Sequence, residues 1–183
     1  KVMINFCVSL TTLPSRIDNI NETINSIKNQ SLKPDKIFLN LPYSFKRFPY
    51  LKFTDEQIEN LNKFNIEITR CNDYGPGTKL MGSLDKIIKK YNCVILLDDD
   101  HIYHKEVIKI FIENYKKEKN NYSYFTNRIF DIKYGQGADG ILFNIELLNN
   151  VNQFYKKYVQ DNKNLFLDDD FWYSLYIYFE KNS

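Results

Sequence analysis

The sequence predicts an α/β fold: a mostly parallel, doubly wound sheet flanked by helices, with a small antiparallel C-terminal portion. Three observations predict it. Short apolar runs alternate with segments of helical periodicity through the first two thirds of the chain. The fourth of these runs, Val94–Leu97, is continuously apolar, as expected of a strand buried on both faces. Beyond Tyr115 the pattern changes, and two strand-like segments follow one another before the closing helices.

Each element has its own reason. Ile4–Leu10 carries Phe6 and Val8 in an apolar run and is the first strand, broken by Thr11-Thr12-Leu13-Pro14-Ser15-Arg16. Ile20, Ile24 and Ile27 then recur at helical spacing. Lys36–Leu41 is the second strand, stopped by Pro42, and Phe45–Phe53 is an irregular aromatic and basic loop. Thr54-Asp55-Glu56-Gln57 is a capping box that opens a helix with Ile58, Leu61 and Phe64 inward. Ile66–Arg70 is the third strand and Tyr74-Gly75-Pro76-Gly77 a turn. A single helix is expected next, with Leu80, Leu84, Ile87, Ile88 and Tyr91 on its apolar stripe. After the fourth strand another helix carries Val107, Ile108, Phe111, Ile112 and Tyr115. Tyr122–Phe130 and Lys133–Phe143 read as strands, with a glycine-rich turn between Gly135 and Gly140. Helices around Ile145–Tyr158 and Phe171–Phe179 close the chain.

With 183 residues the chain fits one domain and one sizeable core. Its 43% apolar and 26% charged residues make a globular balance and exclude a disordered chain. The net charge of +2, with acids and bases interspersed, argues against a nucleic-acid partner, which needs a concentrated basic face. Cys7, Cys71 and Cys93 are odd in number and far apart, so neither a disulfide framework nor a CxxC metal pair is present; Cys7 and Cys93 read as buried, reduced thiols. No run approaches the roughly 18 apolar residues of a membrane span, and no signal peptide is visible. A cytoplasmic location is therefore expected. The chain opens almost at once on a strand, which leaves room for further domains in a larger protein. Three Asn-x-Ser/Thr triplets, at Asn21, Asn29 and Asn121, are expected by chance in so Asn-rich a chain.

Asp98-Asp99-Asp100 directly follows the fourth strand, at the carboxyl edge where ligands bind in such sheets. Adjacent carboxylates repel one another and become favourable when a cation neutralises them. Side-chain alternation puts Asp98 and Asp100 on one side. Oxygen ligands of this kind suit Mg²⁺ or Mn²⁺. A solvated acidic loop explains the triplet equally well.

Other segments converge on the same edge. Thr11, Thr12 and Arg16 end the first strand, where hydroxyls, amides and a guanidinium can hold a base, ribose or phosphate; an ordinary turn is the competing reading. Thr78 can cap the helix after the third strand, and Lys79 in its first turn opposes the helix dipole, which suggests a phosphate-neutralising role; a surface lysine near a cap is the competing reading. Asp168-Asp169-Asp170 opens the last helix, as a cap or as a carboxylate that takes a proton from an acceptor hydroxyl. The neighbouring aromatics read as core, with Leu175 and Phe179 on the same face. The glycines of Tyr134–Gly140 sit too late in the chain for a dinucleotide fingerprint and are expected to let the backbone pass close to a sugar. His101 and His104 read as local loop residues, because neighbours on a strand point oppositely.

Five segments in order, SLTTLPSRI (9–17), DYGPGTKLMGSL (73–84), CVILLDDDHIY (93–103), GQGADGILF (135–143) and DDFW (169–172), resemble the GT-A glycosyltransferases, specifically a family-2-like group. The resemblance implies a Rossmann-like GT-A sheet in one domain, 1–183, whose 1–104 half binds a nucleotide sugar and whose 105–183 half carries acceptor and catalysis. It implies that Thr11, Thr12 and Arg16 line the nucleotide pocket and that Lys79 lies near the diphosphate or donor sugar. Asp98 would approach the ribose or metal, Asp99 would face the donor sugar, and Asp100 would be the main metal ligand. Asp170 would be the catalytic base of an inverting enzyme, with Asp169 as its neighbour.

The implied activity is transfer of a sugar from a nucleoside diphosphate donor, a UDP-sugar, to a hydroxyl on a glycan or protein, with Mn²⁺ or Mg²⁺ as cofactor. Two alternatives stand beside it: a nucleotidyltransferase, which normally wants a Gly-rich basic loop after the first strand, and a glycan- or nucleotide-binding domain without transfer. A DxDxT phosphatase is disfavoured because Ile102 stands where the Thr is needed.

Overall fold

In the computed structural model, which describes residues 3–182, six strands form one sheet. They are β1 (Phe6–Thr11), β2 (Lys36–Pro42), β3 (Glu67–Cys71), β4 (Cys93–Leu96), β5 (Tyr122–Ile129) and β6 (Ile132–Asn144), in the order β3-β2-β1-β4-β6-β5. The first four are parallel. Strand β6 enters antiparallel beside β4 and pairs with β5 as a hairpin. The mixed α/β sheet and its antiparallel portion are therefore as expected from the sequence.

Strand pleating sends alternate residues to opposite faces, and each face is covered by helices. On one face Val8, Leu10, Leu39 and Ile95 pack with Ile20, Ile24 and Ile27 of α1 (Ile20–Lys28). The capping box at Thr54 is present and starts α2 (Asp55–Asn60), whose 3-10 extension buries Leu61 and Phe64 on this side. On the opposite face Cys7, Phe38, Val94 and Leu96 meet a second cluster built on α3 (Thr78–Met81) and α4 (Leu84–Ile87). Helix α5 (Val107–Lys117) belongs to the first face. The short α6 (Val151–Phe154) and α7 (Lys163–Leu167) and the long α8 (Asp169–Asn182) complete the second. All three cysteines are buried free thiols. No helix among the described residues is long and apolar enough to cross a membrane.

Four expectations are corrected. The single helix through Leu80–Tyr91 is two short helices, broken at Gly82–Ser83, and Ile88 is exposed. Gly82 keeps helical angles and Ser83 departs from them, at φ −120° and ψ 14°, where both meet Asn40, a buried polar residue on β2. A Cβ on Gly82 would lie 2.7 Å from Asn40 Cβ, and the Ser83 hydroxyl donates to Asn40 Oδ1. Thr78 does not cap α3; its Oγ1 accepts the Tyr74 N–H at 3.0 Å. The glycines expected as a turn lie inside β6, and the hairpin turns instead at Phe130–Asp131, with Phe130 at φ +54°. The helix expected around Ile145–Tyr158 is a 3-10 turn, α6 and a π-helical segment Tyr155–Val159.

Candidate active site

The ends of β1 and β4, the β3–α3 connection and the start of α8 enclose one cleft of ≈ 280 Å³. Thr11, Thr12, Arg16, Lys79 and both acidic triplets except Asp168 line it. The loop after β2 adds Phe45, Arg47 and Phe48. Asp73 organises this side, accepting the N–H groups of Gly75 at 2.8 Å and Lys46 at 2.6 Å.

Because β4 ends at Leu96, the first acidic triplet leaves the sheet as a turn. Asp99 turns inward and is 6% exposed. Its carboxylate accepts from the Thr12 hydroxyl and pairs with Arg16, Nη2 to Oδ1 at 3.1 Å, while Thr23 Oγ1 donates to its carbonyl at 2.9 Å. Burial pushes its pKa up; the Thr12 hydrogen bond and Arg16 charge oppose the rise. Asp99 thus ties the Thr12–Arg16 segment down. Asp100 is exposed, 3.3 Å from Arg16 Nη1 and 2.8 Å from His101 Nδ1. One donor atom each from Asp98, Asp100 and His101 lies within 4.8 Å of the others. Tyr103 holds the turn in place, its hydroxyl accepting the Asp98 N–H at 2.8 Å.

Lys79 is 7% exposed and lies between the two triplets. Its ammonium pairs with Asp98 and stands 3.1 Å from Asp169 Oδ2, an ion pair without hydrogen-bond alignment. Burial pulls the lysine pKa down, but Asp169, Asp98 and Asp170 together raise it above its ordinary value, so the side chain is charged. Asn40 Nδ2 donates to the Lys79 carbonyl at 3.3 Å and to Leu10 O at 3.1 Å, joining α3 to β1 beneath the cleft.

The second triplet divides its labour. Asp168 is the cap: its Oδ1 accepts the Phe171 N–H at 3.0 Å. Asp169 faces Lys79. Asp170 Oδ2 accepts the Gly137 N–H at 2.8 Å. Burial, then the Asp169 charge, push the Asp170 carboxyl up to about 6, against the Gly137 hydrogen bond. Trp172, Tyr173 and Tyr176 are core, whereas Phe179, expected on their face, is 53% exposed.

No protein-family model and no curated protein matches this sequence. Solved structures do match in shape. Residues 1–349 of Staphylococcus aureus TarS superpose with a TM-score of 0.59 at 15% identity, over 97% of this chain and 56% of that one. Glucosyl-3-phosphoglycerate synthase from Mycobacterium tuberculosis, in complex with uridine diphosphate, gives 0.57 at 15% identity, over 79% of this chain and 58% of that one. The chain has the GT-A fold. It spans little more than half the length of those two GT-A structures. A CMP:2-keto-3-deoxy-manno-octonic acid synthetase complexed with CTP shares the fold at a TM-score of 0.54 and 5% identity, over 97% of this chain and 86% of that one.

Beside the cleft of this GT-A domain stand His101 and Tyr103, to which the sequence assigned no site role, and Gly137, expected only to pass close to a sugar. His101 stands beside Asp98 and Asp100, not apart from them, because the alternation that argued against it ends with β4. His104, by contrast, is local: its Nδ1 accepts the Glu106 N–H at 3.4 Å. Tyr103 holds the Asp98 N–H from five residues on and also reaches Ala138 O, 35 residues away, while Gly137 meets Asp170 across 33 residues, contacts that no local pattern displays.

Proposed function

We propose that this GT-A domain is a glycosyltransferase that moves a sugar from a nucleoside diphosphate donor, a UDP-sugar, to a hydroxyl of a glycan or protein, with inversion. The observation that carries the proposal is the meeting of two acidic groups with opposite properties in one cleft. Asp98 and Asp100 gather at its β4 side with His101. Asp170 sits at its α8 side with a carboxyl raised to about 6. The first set suits a leaving diphosphate held through a cation, and the second a proton acceptor working near neutral pH.

The residues present fit a divalent cation, since two carboxylates suit Mg²⁺ or Mn²⁺ and an imidazole nitrogen beside them favours Mn²⁺. A cation held there would neutralise charge on the diphosphate. Thr11, Thr12 and Arg16 take the nucleotide, kept in place by Asp99 beneath them. Lys79 places its ammonium at the diphosphate and donor sugar. Asp170, with Asp169 beside it, takes the proton of the acceptor hydroxyl; that oxygen bonds to the sugar's anomeric carbon as the bond to the diphosphate oxygen breaks, and the electron pair leaves with the diphosphate. UDP-bound relatives of the same fold support the choice of donor.

The similarity to a CTP-bound synthetase keeps nucleotidyl transfer as a second reading. Against it, the segment that ends β1 and follows it is Thr-Thr-Leu-Pro-Ser-Arg, without a glycine to let a triphosphate approach the backbone. A binding domain without transfer leaves the raised carboxyl of Asp170 without a task. A thermal-shift screen of nucleotide sugars with and without Mn²⁺, followed by a UDP-release assay on those that bind, separates the three. Stabilisation by UDP-sugars with UDP release supports transfer. Stabilisation by CTP alone, or binding without release, overturns it.

A further inference from the structure

The antiparallel end of the sheet has an uneven edge. The β4–β6 ladder runs only from Cys93↔Asn144 to Leu96↔Ile141, while β6 begins at Ile132. Residues 132–140 therefore extend past the end of β4, and an uncovered edge there would leave N–H groups without partners. The start of α8 supplies them. The Gly137 N–H donates to Asp170 Oδ2 at 2.8 Å, and the Gly135 N–H donates to Ser174 Oγ at 3.1 Å. Two residues apart on an extended strand, these N–H groups point the same way. They meet two residues one helical turn apart. Ser174, 9% exposed, closes the arrangement by donating its hydroxyl to the Asp170 carbonyl at 2.7 Å.

Gly137 is a glycine here for space. Its φ is not left-handed. A Cβ at this position would overlap Asp170 Oδ1 and lie 3.1 Å from Asp170 Cγ. Glycine inside a strand weakens it, so the close approach to Asp170 is a feature that strand stability alone does not select. The clamp binds Oδ2 and leaves Oδ1 for other partners.

We infer that Gly137 and Ser174 are positioning residues for Asp170: the bare backbone of Gly137 fixes one carboxylate oxygen, Ser174 fixes the helix turn that carries it, and Oδ1 is thereby presented to the acceptor. This rests on Asp170 being the proton acceptor. The groups that face its carboxylate are Asp169 and Tyr173 on α8, Lys79 on α3, Asp98 after β4, and Tyr134 on β6.

The test combines NMR and kinetics on the full chain. In the wild type the Gly137 amide resonance is expected to titrate with a midpoint above the ordinary carboxylate range, and the titration is expected to vanish in Asp170→Asn. Gly137→Ala is expected to keep UDP affinity within about twofold and to lower kcat for UDP release from a UDP-sugar by about 100-fold, the scale of an ångström's misplacement of a reacting group. Its acidic pH limb is expected to move to higher pH, because a hydrogen bond that favours the ionised form is lost. Ser174→Ala is expected to lower kcat by a smaller factor and to leave the pH limb in place. In an Asp170→Asn background, Gly137→Ala is expected to add no further loss. A Gly137 amide that does not titrate overturns the inference even where Gly137→Ala fails to fold. So does a folded Gly137→Ala protein with wild-type kcat and pH limb. If Asp170→Asn itself keeps full transfer, the base assignment fails; if Asp170→Asn is inactive and Gly137→Ala is normal, only the clamp fails.

Discussion

Lys79 and Asp169 face each other across the floor of the cleft, Nζ 3.1 Å from Oδ2, and the same ammonium pairs with Asp98. A residue on the third helix thus connects the acidic turn after β4 with the start of α8, 90 positions away in sequence from Asp169. This cation lets two acidic clusters share one cleft before any ligand arrives.

Removing it leaves the cluster unbalanced. Lys79→Met is expected to lower stability by about 3 kcal/mol at pH 7, the scale for breaking a buried ion pair by deleting one partner. The lysine pKa is raised in the folded state. Its contribution is therefore complete below the unfolded value of about 10.4 and declines only as pH rises through the folded value. Urea midpoints at pH 7 measure the loss; a change within about 0.5 kcal/mol contradicts the structural role, on the scale of a surface substitution.

Asp170→Asn separates catalysis from stability. Transfer is expected to fall by roughly 100-fold or more, the range for a general base, while UDP binding is kept. The wild-type rate is expected to rise as pH increases through about 6, as Asp170 ionises. The raised carboxyl also means that the folded state holds this proton more tightly than the unfolded chain. Stability from this group is complete below about pH 4 and is lost as pH rises through 6. The variant is accordingly expected to be more stable than the wild type at pH 7.5 by about 1 kcal/mol after allowance for solvent screening, and to lose that advantage at pH 4. Thermal melts at the two pH values check the sign.

Thr12→Val removes the hydroxyl that donates to the buried Asp99 carboxylate. The expected loss is about 1–3 kcal/mol, that of a buried acceptor deprived of its donor. Asp99 already has a raised pKa, and loss of the Thr12 bond raises it further. Protonation relieves the buried charge, so the penalty is larger at pH 7 than at pH 4. Equal penalties at both pH values contradict the assignment of Thr12 to Asp99.

The parallel half of the fold was legible because its strands are continuous apolar runs with clear breakers, and because the capping box at Thr54 is a local device. The acidic triplet was legible for the same local reason: it directly follows the Val94–Leu97 run. What escaped depends on distant partners. The helix breaks at Ser83, whose hydroxyl is held by Asn40 of β2, and Asn40 also leaves room only for a glycine at 82. The glycines of β6 read locally as a turn, yet they make room for neighbours such as Asp170. The second triplet resolves into a cap, a lysine partner and a clamped carboxylate only once α8 is laid against β6 and α3.

In the proposed function the cleft holds a nucleoside diphosphate through a cation at Asp98 and Asp100. Calorimetric titration of UDP into the wild type and Asp100→Ala, each in Mn²⁺ and in EDTA, decides it. Mn²⁺-dependent binding is expected of the wild type, and binding at least about tenfold weaker, some 1.4 kcal/mol, of the variant. UDP binding of equal strength in EDTA and in Mn²⁺, unchanged in Asp100→Ala, would contradict it.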